Sequence, residues 1–412
     1  MLIVSYFLLL AKTEAANQQT SLWPVTSIDT MKYSRDPSRD PNIKKVIPPM
    51  VAEVAKLGPN HISIATPYDE EFYPVLKAWV TEARKNHLKV WFRGNFSSWE
   101  GWFGYPRFTD VNQHHILTKA FIEKHPDLFE DGDIFTPVPE AENGAMGDPR
   151  GSDQKTAQFN QFLIDSYNNC QEAFKTIHKN VQCGYFSTNG DIARQVLTDD
   201  TVKKIGNIVA IDHYVGSPEQ MVQDIDFLTQ KFPGAKIVLG EFGAPIPDIN
   251  GPMTQQQQAD FIDKLLQKLY EKRDQVIGLN YWVLSGGSTT ILNQDGSERQ
   301  VANVIRKYFT PPIITGFVKN EHNDGIANAQ IIVNDREETM TDKNGLFRFS
   351  TIKNQPITIT VKYKGYQPST HSLTPTSDTH IKDIHLSSMT KQNQSFFYRI
   401  KLFINNLFNS IK

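Results

Sequence analysis

The 412-residue chain has little cysteine, little net charge and no long apolar run. Its two cysteines, Cys170 and Cys183, exclude a disulfide-dense scaffold and have no metal-type spacing. Two buried thiols are the expectation, with pairing the alternative if the chain is exported. Lys and Arg number 43 against 45 Asp and Glu, a net charge of −2, which points away from nucleic acid and from any strongly charged partner. No cluster of ligating side chains stands out, so neither a metal nor another cofactor is implied. The longest apolar stretch, residues 2–11, is too short to span a bilayer. It lacks a basic flank, but small residues follow and Ala15 or Ala16 offers a cleavage point, so residues 1–16 read as a signal peptide. The expected location is therefore secreted or cell-surface, in an extracellular or periplasmic space.

What is present is a core-forming composition with a repeating texture. Hydrophobic residues make up 39% and aromatics 11%. Short apolar or β-rich runs lie at 23–29, 61–66, 89–95, 134–140, 183–188, 208–214, 236–242 and 277–284. Amphipathic runs with three- and four-residue spacing fall between them, most clearly at 70–87, 154–178, 254–273 and 297–309. A βα unit repeated eight times over this length predicts a (β/α)8 TIM barrel spanning 17–310. Functional groups are then expected at the C-terminal ends of the strands and in the loops that follow.

After Pro311-Pro312 the texture becomes short alternating strands broken by Asn, Asp and Gly turns, "TDKNGLFRF" being the clearest. Residues 311–386 therefore predict a small all-β sandwich. With "ITGFV", "GIANAQIIV" and the Gly365-Tyr366 pair, this stretch resembles the carboxypeptidase regulatory-like (transthyretin-like) domains, usually non-catalytic appendages. Residues 387–412 form an amphipathic tail. Phe396, Ile400, Phe403, Ile404, Leu407 and Ile411 would share one helical face beside Arg399, Lys401 and Lys412. Peripheral membrane contact is one reading of that tail, and docking on the protein or disorder the other. The oligomeric state is not readable.

The strand ends carry the candidate chemistry. In "KIVLGEFGAP", alternation places Ile237, Leu239 and Glu241 on one face, with Glu241 at the C-terminal end. A carboxylate there is costly unless paired or used. The sixth strand ends in His213 and Tyr214, and Tyr214 is in reach of a carboxylate such as Glu241. The eighth carries Trp282, whose face suits a sugar ring. After the third strand come Arg93 and Asn95, which can donate to hydroxyls, and Trp99 and Trp102, which can stack, with Phe103 and Tyr105. Asp29, Lys32, Asn189 and Asp191 are weaker candidates. His114 and His115 are expected to be solvated on a helix. The fourth run, "FTPVPEAENG", ends in Glu140 and Glu142, two apart and so on one face of an extended strand.

A glutamate in "GEFG" on the seventh strand, His and Tyr on the sixth and Trp on the eighth resemble the barrels of glycoside hydrolase clan A. The resemblance covers the barrel as a pattern of strand-end residues. It implies a carbohydrate substrate, no cofactor, and a retaining mechanism with a nucleophile on the seventh strand and an acid/base on the fourth. Carried over, Glu241 is the nucleophile. The asparagine that usually precedes the acid/base in that clan is Pro139 here. Alignment on Pro137 favours Glu140, with Asn143 nearby for substrate and Glu142 as the alternative acid/base. Two other functions stay open: a non-catalytic carbohydrate-binding barrel at the cell surface, and a phosphosugar-binding barrel enzyme using "LSGGSTT" at 284–290.

Overall fold

The computed structural model describes residues 21–108 and 110–389. Residues 1–16, expected to be a signal peptide, and the tail from residue 390 lie outside the described residues. The chain forms two compact units, one of which is Trp23–Thr310 and the other of which contains the chain from Pro311 onward.

In the first unit, eight parallel strands alternate with helices. They are β1 (Val25–Asp29), β2 (His61–Ile64), β3 (Lys89–Phe92), β4 (Ile134–Phe135), β5 (Ser187–Asn189), β6 (Ile208–Asp212), β7 (Lys236–Phe242) and β8 (Val276–Tyr281). Their order is β4-β3-β2-β1-β8-β7-β6-β5. The ring closes just before β5: Phe135 N donates to Gln182 O at 2.9 Å and Gln182 N to Asp133 O at 2.8 Å, a parallel bridge of Ile134 to Gln182. The TIM barrel is thus as expected, with the segment just before β5 closing the ring onto β4.

Helical spacing explains the outer layer. Gln255–Glu271 buries Ala259, Ile262, Leu265, Leu266 and Leu269 on one face, each of the larger ones worth about 1.5–3 kcal/mol when fully buried. Thr254 and Gln257 form a capping box at its start. Inside the ring, Val25, Trp91, Ile134, Tyr185, Ile208, Ala210 and Val238 close the lower layer. Above them the interior turns polar.

One expectation about a strand face is corrected. Val238, not Ile237 or Leu239, faces the barrel interior. The register runs Ile211 to Leu239 and then Asp212 to Glu241, so Gly240 is an extra residue on β7. This bulge turns Glu241 inward beside Asp212. A Cβ at Gly240 would stand 2.4 Å from Asp212 Oδ1 and 2.7 Å from Ser187 Cβ, so only glycine fits there.

The other unit carries two sheets. One is ordered β11 (Arg336–Met340), β10 (Gln330–Val333), β13 (Ile357–Lys362) and β14 (Ser369–Leu373). The other is β12 (Leu346–Ser350), β9 (Ile313–Lys319) and β15 (Thr379–His380), with β16 (Ile384–His385) also on β9. Their inner residues, among them Ile314, Val318, Ile331, Phe347, Ile359 and Val361, form one core. The predicted turn is built by Asp342, whose Oδ1 accepts from Asn344 N and Leu346 N, with Gly345 at φ 81°.

Candidate active site

Sequence alternation treats Glu140 and Glu142 as equivalent, and the backbone separates them. Pro137 and Pro139 lack an N–H and cannot extend the ladder, so β4 ends at Phe135. The chain then turns. Glu140 takes the left-handed conformation at φ 45°, ψ 54°, and its N–H donates to Ser187 O at 2.8 Å. Glu142 follows in a 3-10 turn, Ala141–Asn143. Its Oε1 accepts from the Asn189 N–H at 2.7 Å and the Asn189 side-chain amide at 3.1 Å. Burial pushes this carboxyl up to about 7, against those two bonds and with help from Glu140. Among the described residues no hydrogen bond or ion pair engages the half-buried Glu140 carboxyl. Its charge is felt at Arg93, Glu100, Glu142, Asp212 and Glu241. Asn143 is exposed, and its backbone N–H bonds Glu140 O at 2.9 Å.

Glu241 is 7% exposed at the barrel mouth. Tyr214 donates its hydroxyl to Oε2 at 2.8 Å, and Arg93 Nη1 bonds Oε1 at 3.0 Å. Burial pushes Glu241 up to about 7; Arg93 and Tyr214 pull it down, and Asp29 and Glu140 add to the rise. The edge of Trp282 meets Tyr214, with ring centroids 6.1 Å apart at 77°. Trp282 is half-buried, so an aromatic wall stands beside the carboxylate. Trp102 is half-buried too, with the Arg35 guanidinium 4.7 Å over its ring.

Several sequence-predicted ligands have other partners. Arg93 is buried in the barrel and faces carboxylates instead of hydroxyls of a bound molecule. Its guanidinium bonds Glu241 Oε1, Asp212 Oδ2, Ser187 Oγ and Gly240 O, with Asp29 Oδ2 at 3.4 Å. Burial opposes its charge, but Asp212, Glu241 and Asp29 outweigh that and raise its pKa. Asn95 is fully buried, and its Oδ1 accepts from His114 Nε2 at 2.9 Å. Trp99 is fully buried and stacks on Phe162, ring centroids 5.3 Å apart at 11°. It is core, not a platform: a Cβ at Gly144 would stand 1.8 Å from its Nε1. His213 alternates away from the mouth and pairs with Asp224 Oδ2 at 2.7 Å. Burial and the nearby Arg194 lower it to about 4.

His114 is not solvated, and His115 is only partly so. His114 is fully buried, which lowers it to about 3, and His115 bonds Ser166 Oγ at 2.9 Å. Asn189 clamps Glu142, while Asp191 pairs with Arg150. Lys32 pairs with Asp36 at 3.5 Å. Tyr105 donates to Glu71, and Phe103 offers its carbonyl to Arg39. Cys170 and Cys183 are disulfide-bonded, contrary to the expectation of two thiols. The helix Asp153–Thr176 carries one cysteine to the other across a separation of 13 residues.

Two members of the site escape the sequence reading. Asp212 stands beside the more conspicuous His213, although it ends β6 two residues before Tyr214 and so shares the inward face that period two gives Tyr214. Glu100, in the loop after β3, is raised by burial and by Glu140, against Arg35 and Arg107.

Comparison with known proteins agrees with this architecture. Residues 313–387 match the carboxypeptidase regulatory-like domain. The second unit is that module. No curated protein matches the chain. The fold is shared with GH5 glycoside hydrolases of clan A. A GH5_18 protein of Bifidobacterium longum subsp. longum, solved with Manβ1-4GlcNAc, superposes with TM-score 0.54 at 13% identity, over 73% of this chain and 84% of that one. A GH5_18 protein of Streptomyces cattleya, also with Manβ1-4GlcNAc, gives 0.53 at 14%, over 72% and 85%. XacCel5A, solved with cellopentaose, gives 0.50 at 12%, over 70% and 99%. At these identities the likeness is one of fold. The module and the barrel architecture are those expected from the sequence.

Proposed function

We propose that the barrel is a retaining glycoside hydrolase that cleaves a β-linked glycan, with Glu241 as nucleophile and Glu140 as acid/base. The observation that carries this is the setting of Glu241. It is a buried carboxylate at the mouth of the barrel, with one donor on each oxygen, Tyr214 and Arg93, holding it in place. Such donors stabilise and orient the ionised form that attacks an anomeric carbon. Across the mouth, Glu140 is half-buried, without a partner among the described residues, and close enough to act electrostatically on Glu241. It is thus free to give a proton to a leaving oxygen and later to take one from water. Glu142, clamped by Asn189, serves to hold the turn that presents Glu140. Trp282 and Trp102 are the sugar-stacking faces left once Trp99 is assigned to the core.

The GH5 neighbours solved with Manβ1-4GlcNAc and cellopentaose make a β-linked oligosaccharide the substrate class to try first. The disulfide favours an oxidising compartment and so an exported protein. The test is turnover on β-glucans, mannans, xylans and chromogenic β-glycosides, with Glu140→Gln, Glu142→Gln and Glu241→Gln alongside. Glu241→Gln is expected to be inactive, and a fluorosugar inactivator is expected to label Glu241. Glu140→Gln should fail on poor leaving groups, and Glu142→Gln should keep most activity. If the wild type binds glycan, turns over none of the panel, and Glu241→Gln binds equally well, the barrel is a binding protein and the enzymatic reading is wrong.

A further inference from the structure

Below the mouth, one guanidinium is shared among several buried carboxyl groups. Arg93 Nη1 lies 3.0 Å from Glu241 Oε1 and 3.4 Å from Asp29 Oδ2, and its Nη2 lies 2.8 Å from Asp212 Oδ2. Three ionised carboxylates and one guanidinium would leave two negative charges in a layer almost closed to water. Uncompensated buried charge is costly enough that such a layer keeps a proton.

The donors decide where that proton sits. Asp29 collects four: Met31 N at 2.7 Å, Ser63 Oγ at 3.0 Å, Asn280 Nδ2 at 3.3 Å and Arg93. Glu241 has a donor on each oxygen. Asp212 has Arg93 on Oδ2 and the Ser187 hydroxyl beside it, while its buried Oδ1 has no hydrogen-bond partner among the described residues. An ionised carboxylate with a bare buried oxygen is the least stable of the three, and that oxygen is where a proton costs least.

We propose that Asp212 is the member of this layer that stays protonated, and that as a positioning residue it thereby leaves the charge of Arg93 to Glu241 and the more distant Asp29. The inference rests on the reading of Glu241 as the nucleophile. Asp212 acts through Arg93 and does not touch the reacting atoms. The groups facing it are Arg93 from just after β3, Ser187 from β5, Glu241 from β7, Asp29 beyond Arg93 on β1, Tyr214 two residues past the end of its own strand and Glu140 from the turn after β4. Burial first, then Glu241 and Glu140, raise Asp212 well above the usual carboxylate range, with Arg93 and the Ser187 hydroxyl opposing. The bulge at Gly240 is what admits Asp212 to the layer.

Two measurements test this. The first needs no turnover: infrared difference spectra of the full-length protein at about pH 8, where Glu142 and Glu241 are largely ionised, with carboxyl-13C aspartate or glutamate incorporated. A protonated-carboxyl band that shifts with labelled aspartate and is absent in Asp212→Asn is expected. A band that shifts only with labelled glutamate, or no band in the wild type, overturns the proposal whether or not the variant folds, and so does an aspartate band that is lost in Asp29→Asn and survives in Asp212→Asn. The second is the pH profile of kcat/KM. Asn is uncharged, as protonated Asp is, so Asp212→Asn should leave the acidic limb within about 0.3 pH unit of wild type. If Asp212 is ionised in the working enzyme, the substitution removes a like charge beside Glu241 and moves that limb down by about one pH unit, which also overturns the proposal. A barrel without glycosidase activity fails the panel assay above, while the infrared result still locates the proton.

Discussion

Glu140 is the site residue whose backbone works against its own side chain, and that opposition can be measured. Its φ of 45° and ψ of 54° lie in the left-handed region, where a Cβ costs about 1–2 kcal/mol. The described non-glycine residues with positive φ are His, Asn or Asp, apart from Glu140 and Phe103. Asn and Asp offset the cost through local hydrogen bonds, which Glu140 does not make. Glu140→Ala keeps the cost and Glu140→Gly removes it, less about 0.5–1 kcal/mol for the greater freedom of glycine in the unfolded chain. The glycine variant should therefore be more stable than the alanine variant by about 0.5–1 kcal/mol, the reverse of their order inside a helix or strand. All six tryptophans, Trp23, Trp79, Trp91, Trp99, Trp102 and Trp282, lie in the barrel unit, so tryptophan fluorescence during urea unfolding reports that unit alone. With m near 3 kcal/mol/M the midpoints should differ by about 0.2–0.3 M. Both variants should lack activity on poor leaving groups. A glycine variant no more stable than alanine would refute the claim that the barrel holds Glu140 in a strained conformation.

Activity should require Glu241 ionised, so kcat/KM should fall as pH drops through about 7, and Tyr214→Phe, which removes a donor from Oε2, should move that limb upward by about one pH unit. Trp99→Ala should lower stability by about 3–5 kcal/mol in urea melts, whereas Trp102→Ala should leave the melt nearly unchanged and raise KM. Replacing both Cys170 and Cys183 by Ser opens the disulfide loop and should cost about 3 kcal/mol of barrel stability, read from the same melts. Glu142 has its folded pKa raised to about 7, so the folded state takes up its proton more readily than the unfolded chain, and the resulting stabilisation is lost as pH rises through about 7. Glu142→Gln should accordingly gain on wild type as the pH of the melts is raised from about 4.5 to 7, with a slope approaching about 1.4 kcal/mol per pH unit; a constant difference across that range would contradict it.

The barrel and the sandwich were legible because their periodicities differ and repeat. Eight apolar runs set between amphipathic ones require a covered parallel sheet, and alternating runs with Asn-Gly turns require an open antiparallel one. The site was legible only as strand-end positions, because period two predicts a face only while the strand stays regular. On β7 the bulge at Gly240 breaks that condition, so Glu241 points inward although Ile237 and Leu239 do not. A lone glycine before a strand-end carboxylate was the available sign. After β4 the two prolines end the strand before Glu140, so a shared face could not decide between Glu140 and Glu142. Left-handed backbone at one and the Asn189 clamp on the other set the two apart, and both depend on β5, 47 residues away. The same limit explains Arg93, Asn95, Trp99 and His213. Each has the residue type and strand-end position of a sugar ligand, and each is engaged by a partner distant in sequence: Glu241 and Asp212, His114, Phe162 and Asp224. Polar and aromatic side chains at a barrel mouth serve both the substrate and the support beneath it. A sequence supplies their number, whereas the division between those two tasks follows from which of them are left without a protein partner, as Glu140 is.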